Sequence, residues 1–310
     1  MINKEVHIEE FIEIIKGIVP TFSDSFKENI PKKEVLSDLI FDSKESITIN
    51  EIQLKASHLS PYFQIIIDRI CAVSLLLADF NQHQNTKTYI KSLKEIWPFI
   101  YRSIMNLQGS EILATIGSQG FLSIPLYHND KKEESFEFLR LHIWHESLKK
   151  FIDNEKAEMF SIHSHQFYAQ SRVLCGEIYN QRFDVTEQSF ESEFSFFEIH
   201  WNNLDNVNQK TSIAQNTGKF VSIKEHDIES YEHGDSYEIK AGEYHRSTVD
   251  SKQLTATLFL FSTVKGRVGQ SNVVGPTIIK ESTVNRKITI NAQILLESLN
   301  HAIVNNEGGN

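Results

Sequence analysis

The spacing of hydrophobic residues changes near residue 110. Upstream, apolar side chains recur at helical intervals: Ile8, Phe11, Ile12, Ile15, Ile18 and Val19 fall on one face of a helix. Pro31 opens a second, short helix with Val35, Leu36, Leu39 and Ile40 as its expected buried stripe. Ser60-Pro61 joins an N-cap residue to a first-turn proline and predicts a helix to about residue 80. Another is predicted from about Thr86, ended or kinked at Pro98 and resuming to Leu107.

Downstream the period shifts towards two, and aromatic and β-branched residues fill the apolar runs. Strands are expected over 136–144, 159–167, 172–185, 193–201, 220–223, 237–241 and 254–263, a succession that suggests a sandwich or barrel. The polar stretch 202–219 reads as a long loop of the kind that rims a site. The tail is expected to be helical over 291–304 and frayed over 305–310. No Pro/Gly/Ser-rich linker separates the halves, so the helical region is expected to pack against the strands.

Composition narrows the function classes. A formal charge of −10 argues against a phosphate-binding surface, and the basic pairs Lys32-Lys33 and Lys149-Lys150 read as solvated surface, so no nucleic-acid partner is expected. The most apolar stretch, 61–80, carries Asp68, Arg69 and Asp79, which suit a buried helix and not a bilayer. The first residues lack the uncharged core of a signal peptide, and the two cysteines, Cys71 and Cys175, form no disulfide framework. The expectation is a cytoplasmic protein without a membrane partner.

One local pattern carries chemistry. In Ser161-Ile162-His163-Ser164-His165, strand-like alternation would put both imidazoles on one face, about 7 Å apart along the backbone, within reach of one metal ion. Thirteen histidines in the chain make an accidental His-x-His pair common, so the pair alone decides little. The second element is Gly234, five residues, then Lys240-Ala241-Gly242-Glu243-Tyr244-His245. It matches the second cupin motif, Gly-x5-Pro-x-Gly-x2-His, except at the proline. The first motif, Gly-x5-His-x-His-x3,4-Glu-x6-Gly, is met by His163, His165 and Gly176, with Ala157 in place of its glycine and Ala169 or Gln170 in place of its glutamate. The chain thus resembles the cupin superfamily.

A closer resemblance is to the three-histidine thiol dioxygenases of that superfamily, of the cysteine dioxygenase type. It rests on 160–185 as a ligand hairpin and on His245-Arg246 followed by Leu258-Phe259-Leu260-Phe261-Ser262. The resemblance implies an α+β protein with a helical region over 1–110, a cupin jelly-roll barrel over 111–275 and an extension with a helix over 276–310. It implies His163, His165 and His245 as ligands of Fe(II), with Zn, Ni or Mn as other occupants, and an oxygenase reaction on a small-molecule substrate and O2. Arg140 falls near that family's carboxylate-binding arginine; a solvent-facing strand arginine is the equal alternative. Gln170 is either a hydrogen-bond donor to a metal-bound ligand or a surface glutamine, and Tyr244 either a donor to such a ligand or a buried tyrosine bonded to backbone. The family's His and Tyr beyond the third ligand are here Phe259 and Phe261, and no cysteine follows His165 closely enough for its thioether. The other function class is a metal-containing cupin that binds a small molecule or protein and regulates, with the helical region as partner surface. Homo-oligomerisation is compatible with the aromatic run from Phe190 to Trp201, which reads as core or subunit interface. His142, His145, His200, His226 and His233 are expected to be structural or surface histidines.

Overall fold

The helix Pro61–Asn81 is buried over most of its length, and two of its charged residues, Asp68 and Arg69, are satisfied by neighbouring elements. Arg102 grips Asp68 through Nε and Nη2 at 3.0 and 2.7 Å, and Gln53 donates to the same carboxylate at 3.2 Å. Arg69, 1 % exposed, donates to Ser103 Oγ, Thr21 Oγ1 and the Pro125 carbonyl. Burial pushes its guanidinium down to about 9. Among the described residues no helix is long and apolar enough to cross a membrane.

The computed structural model describes residues 3–81, 86–117, 119–130, 135–201, 211–250, 252–285 and 291–305. The chain divides into two compact units, one of residues 1–113, 124–140 and 291–310, the other of 114–123 and 141–290. The C-terminal helix Gln293–Asn305 therefore belongs with the N-terminal helices, where Trp97 Nε1 donates to Asn300 Oδ1 at 2.9 Å.

In the first unit, β1 (Glu5–His7) pairs antiparallel with β2 (Ser46–Thr48) beside the helix Ile8–Ile18. One local expectation fails. The helix Lys33–Phe41 buries Leu36, Ser37, Ile40 and Phe41, so Val35 and Leu39 are rotated out and are 54 % and 46 % exposed. Of the two outcomes expected at Pro98 the helix does not end there: it continues as Thr86–Met105 with Pro98 inside it. Pro98 faces solvent while Ile96, Trp97, Phe99 and Ile100 are buried, and that packing offsets the missing backbone bond.

Strand-forming sequence dominates the second unit. β3 (Thr115–Ile116) forms a hairpin with the start of β4 (Leu122–Asp130); β4 and β5 (Phe136–Trp144) each run from one unit into the other. β6 (Phe167–Cys175) turns at Gly176 into β7 (Glu177–Glu187). The strand expected over 172–185 is thus two strands: Gly176 has φ 71°, and a Cβ there would lie 2.3 Å from Thr255 Oγ1. Next come β8 (Phe194–Trp201), β9 (Thr211–Glu232), β10 (Ser236–Ile239), β11 (Tyr244–Val249), β12 (Thr255–Arg267), β13 (Val273–Pro276) and β14 (Glu281–Asn285). β6 is flanked by antiparallel partners β10 and β12. The other sheet has the order β11-β7-β9-β8-β13, with β14 also on β9.

Two more expectations change here. Residues 211–219 of the expected loop belong to β9, and 202–210 lie outside the described residues, as do 306–310 of the tail. The strand expected over 159–167 is absent: Asp153 caps a short helix, Asn154–Met159, by accepting from Lys156 N–H at 3.2 Å. The segment after it is extended but makes only isolated bridges, both at His163.

Side chains Trp144, Ala169, Val173, Ile178, Tyr237, Ile239 and Phe259 form a core cluster, with Phe121, Tyr231, Val249 and Phe261 packed against it. On β6 this puts Ala169 on the core side and Gln170 on the opposite face, as strand alternation requires.

Candidate metal centre

The first and third histidines are placed by main chain. His163 N–H donates to the His245 carbonyl at 3.1 Å, and His245 N–H donates to the His163 carbonyl at 3.0 Å. On its other edge the segment is tied to β13: Val274 N–H donates to Ile162 O at 2.8 Å and Ser164 N–H to Asn272 O at 3.0 Å. The second histidine is tied to the turn that carries the third, because Gly242 N–H donates to the His165 carbonyl at 2.8 Å. Gly242 holds φ 79°, a left-handed conformation that glycine adopts without strain.

Directly opposed residues of an antiparallel pair share a face, so the His163 and His245 rings lie side by side, and His165, two residues on, joins them. Ring centroids are 4.4 Å apart for His163–His245, 4.7 Å for His163–His165 and 4.9 Å for His165–His245. Their candidate ligand nitrogens all lie within 4.8 Å of one another. The three histidines expected from the sequence are thus brought together.

The surroundings of two of the rings suit metal binding. The Ser161 carbonyl lies 2.9 Å from His163 Nδ1 and can only accept, so the tautomer with its proton on Nδ1 bonds it and leaves the Nε2 lone pair for an ion. His245 repeats the arrangement with the Glu243 carbonyl at 3.4 Å. Burial, and then the charge of His163, hold the His245 imidazole well below its ordinary range, so it stands neutral. Its turn is braced by Glu243, whose carboxylate accepts from Lys240 N–H at 2.9 Å and pairs with Arg182 at 2.5 Å. The wall beside His165 is apolar, with Phe261 and Phe259 at centroid distances of 4.9 and 6.3 Å.

Other candidates are placed differently. Tyr244 stacks on Phe196 at 5.8 Å, and Asn272 Nδ2 donates to its hydroxyl at 3.5 Å. Strand alternation turns it away from His245. Burial raises its phenol, opposed by hydrogen bonds with Asn272 and Ser164. Gln170 donates to Glu238 Oε1 at 3.1 Å on the face of β6 opposite Ala169. Arg140 belongs to the first unit, its guanidinium carbon 3.7 Å from the Phe138 ring centroid. His142 is enclosed by aromatic rings, 4.2 Å from Phe121 and 5.3 Å from Phe259, and His145 caps a short turn by accepting from Ser147 N–H at 3.2 Å.

One site residue escapes sequence reasoning altogether. Gln119, on the β3–β4 turn, brings its amide nitrogen to 2.8 Å from Nδ1 and 3.1 Å from Nε2 of His163. A polar residue beside Gly120 reads as turn surface, and only the tertiary fold reveals its target.

No protein-family model and no curated protein matches the chain. Among solved structures it is similar to coconut allergen cocosin, at 7 % identity and TM-score 0.25 over 52 % of this chain and 33 % of that one. It is also similar to procruciferin, the 11S globulin of Brassica napus (8 %, TM-score 0.23, 47 % and 29 %), and to pumpkin seed globulin (8 %, TM-score 0.23, 50 % and 32 %). The chain spans about a third of the length of these proteins, and superpositions at this level bear on neither its fold nor its chemistry.

Proposed function

We propose that the chain is a cupin-type, mononuclear non-haem iron oxygenase acting on a small anionic molecule, a thiol or amino-acid-like compound, with His163, His165 and His245 as metal ligands. The observation that carries this reading is the set of three imidazoles within 4.8 Å, two of them with Nδ1 directed at a carbonyl, beside an apolar wall. The residues fit a divalent first-row ion, for which neutral imidazole is a good ligand. Bound Fe(II) would supply redox chemistry towards O2 beside a coordinated substrate. Three neutral ligands leave the dication's charge uncompensated, which favours an anionic substrate. Phe259 and Phe261 line the His165 side with apolar surface, where that attraction is screened less than in water.

One observation favours a second reading, a metal-containing cupin that binds a small molecule or partner and regulates. Phe259 and Phe261 offer neither acid nor base beside His165. Protein purified anaerobically without a polyhistidine tag separates the two. About one equivalent of iron, with O2 consumed only when a member of a thiol and amino-acid panel is added, supports the oxygenase. Iron-loaded protein that consumes no O2 with any member contradicts it.

A further inference from the structure

Gln119 sits on a turn built to hold it still. Gly117 N–H donates to the Phe121 carbonyl at 2.8 Å and Gly120 N–H to the Gly117 carbonyl at 3.0 Å, closing the β3–β4 hairpin. Gly120 has φ 89°, and a Cβ there would also come within 2.9 Å of Ile152 Cδ1, so the tip admits little but glycine. Phe121 anchors the hairpin by packing on His142 at 4.2 Å and Trp144 at 5.1 Å. These contacts direct the Gln119 amide at His163.

The Gln119 amide nitrogen lies against both ring nitrogens of His163, 2.8 Å from Nδ1 and 3.1 Å from Nε2; in the tautomer whose Nδ1 proton bonds the Ser161 carbonyl, Nε2 carries the lone pair left for a metal, and the amide stands beside it. An ion on the Nε2 lone pair would set a positive charge beside the amide N–H. The same amide carries a carbonyl oxygen on the same planar carbon, and which arm faces His163 follows from what stands there to be met. With a cation present, the oxygen is the favoured arm. Ala169 leaves the core side of β6 without a carboxylate, so no charged oxygen competes from that strand.

We propose that Gln119 is the fourth protein ligand, its side-chain carbonyl oxygen completing a three-nitrogen, one-oxygen set with His163, His165 and His245. This deepens, and rests on, the three-histidine reading above. A neutral oxygen ligand keeps the ion's full positive charge for an anionic substrate, which a glutamate would halve.

The test uses Co(II) on the metal-free full-length chain, read by dissociation constant and by visible d–d absorption, which intensifies as coordination number falls. Wild type, Gln119→Ala, Gln119→Glu and His163→Ala are compared, with circular dichroism to confirm folding. The expected result is Co(II) binding weakened roughly tenfold or more in Gln119→Ala, the scale on which removing one group around a metal is felt, with a more intense spectrum. Gln119→Glu restores binding to at least the wild-type level, because a carboxylate supplies the same oxygen with charge. Wild-type affinity and spectrum in Gln119→Ala, alongside lost binding in His163→Ala, overturn the fourth ligand and leave the histidine site standing. Absence of Co(II) binding in wild type overturns both.

Discussion

His163 and His245 exchange both of their backbone hydrogen bonds, at 3.1 and 3.0 Å, as a closed antiparallel pair. Two of the three imidazoles are therefore set side by side by main-chain atoms that an alanine substitution leaves in place. The third follows through the Gly242 N–H on the His165 carbonyl. A site assembled in this way can lose an imidazole and keep its frame.

The register of β6 distinguishes two neighbouring substitutions. Ala169 lies opposite Phe261, the ring nearest His165, whereas Gln170 lies opposite Leu260 and bonds to Glu238. Ala169→Glu places a carboxylate on the core side, where it costs several kcal/mol unless a cation meets it. The metal-free variant should melt below wild type, and added Fe(II) or Co(II) should raise its melting temperature by more than it raises that of wild type. Gln170→Glu should leave the metal response unchanged and lower stability only through repulsion with Glu238. Thermal melts with and without metal decide this; an equal metal response in wild type and both variants would place Ala169 away from the site.

The histidine set was legible because ligand spacing is short-range information: a His-x-His pair and a Gly-x2-His turn survive translation into coordinates. The helices were legible where one face is buried, as in Ile8–Ile18, or where a Ser-Pro start opens a long apolar run, as in Pro61–Asn81. The expected strand over 159–167 failed because a local cap at Asp153 outweighs a period-two pattern, and because 162–164 is held extended by distant partners, Asn272, Val274 and His245. Val35 and Leu39 failed because a short helix has apolar residues enough for two faces and only packing selects one. Gln119 carried no signal, since its partner is in another part of the chain.

Pro98 interrupts the backbone bonding of Thr86–Met105 without ending the helix, and its ring is exposed. Alanine there restores the amide donor and loses no packing, so Pro98→Ala should stabilise the chain by about 1–3 kcal/mol. Urea unfolding measures it. A variant less stable than wild type would show that the ring contributes contacts which outweigh the missing bond.

Glu51 completes a capping box at the helix Ile49–Ala56, accepting from the Thr48 backbone N–H at 2.8 Å while Thr48 Oγ1 accepts from Glu51 N–H at 3.2 Å. The Thr48 backbone bond, then Lys44, lower its carboxyl from 4.5 to about 2. A carboxyl depressed by folding adds stability above its unfolded value and loses it as pH falls through the folded one. The advantage of wild type over Glu51→Gln should therefore be full near neutral pH, decline below 4.5 and vanish near 2. Melting curves across that range check the sign; a difference that grows on acidification contradicts it.

The most direct test of the metal centre is the metal content of untagged wild type, His163→Ala and His245→Ala, measured by elemental analysis after anaerobic purification and reloading with Fe(II). Wild type should hold about one ion per chain, and each variant should hold little or none while keeping the far-ultraviolet circular dichroism of a folded protein, because the paired backbone of 163 and 245 and the apolar core remain. Unchanged metal content in either folded variant would contradict the three-histidine site.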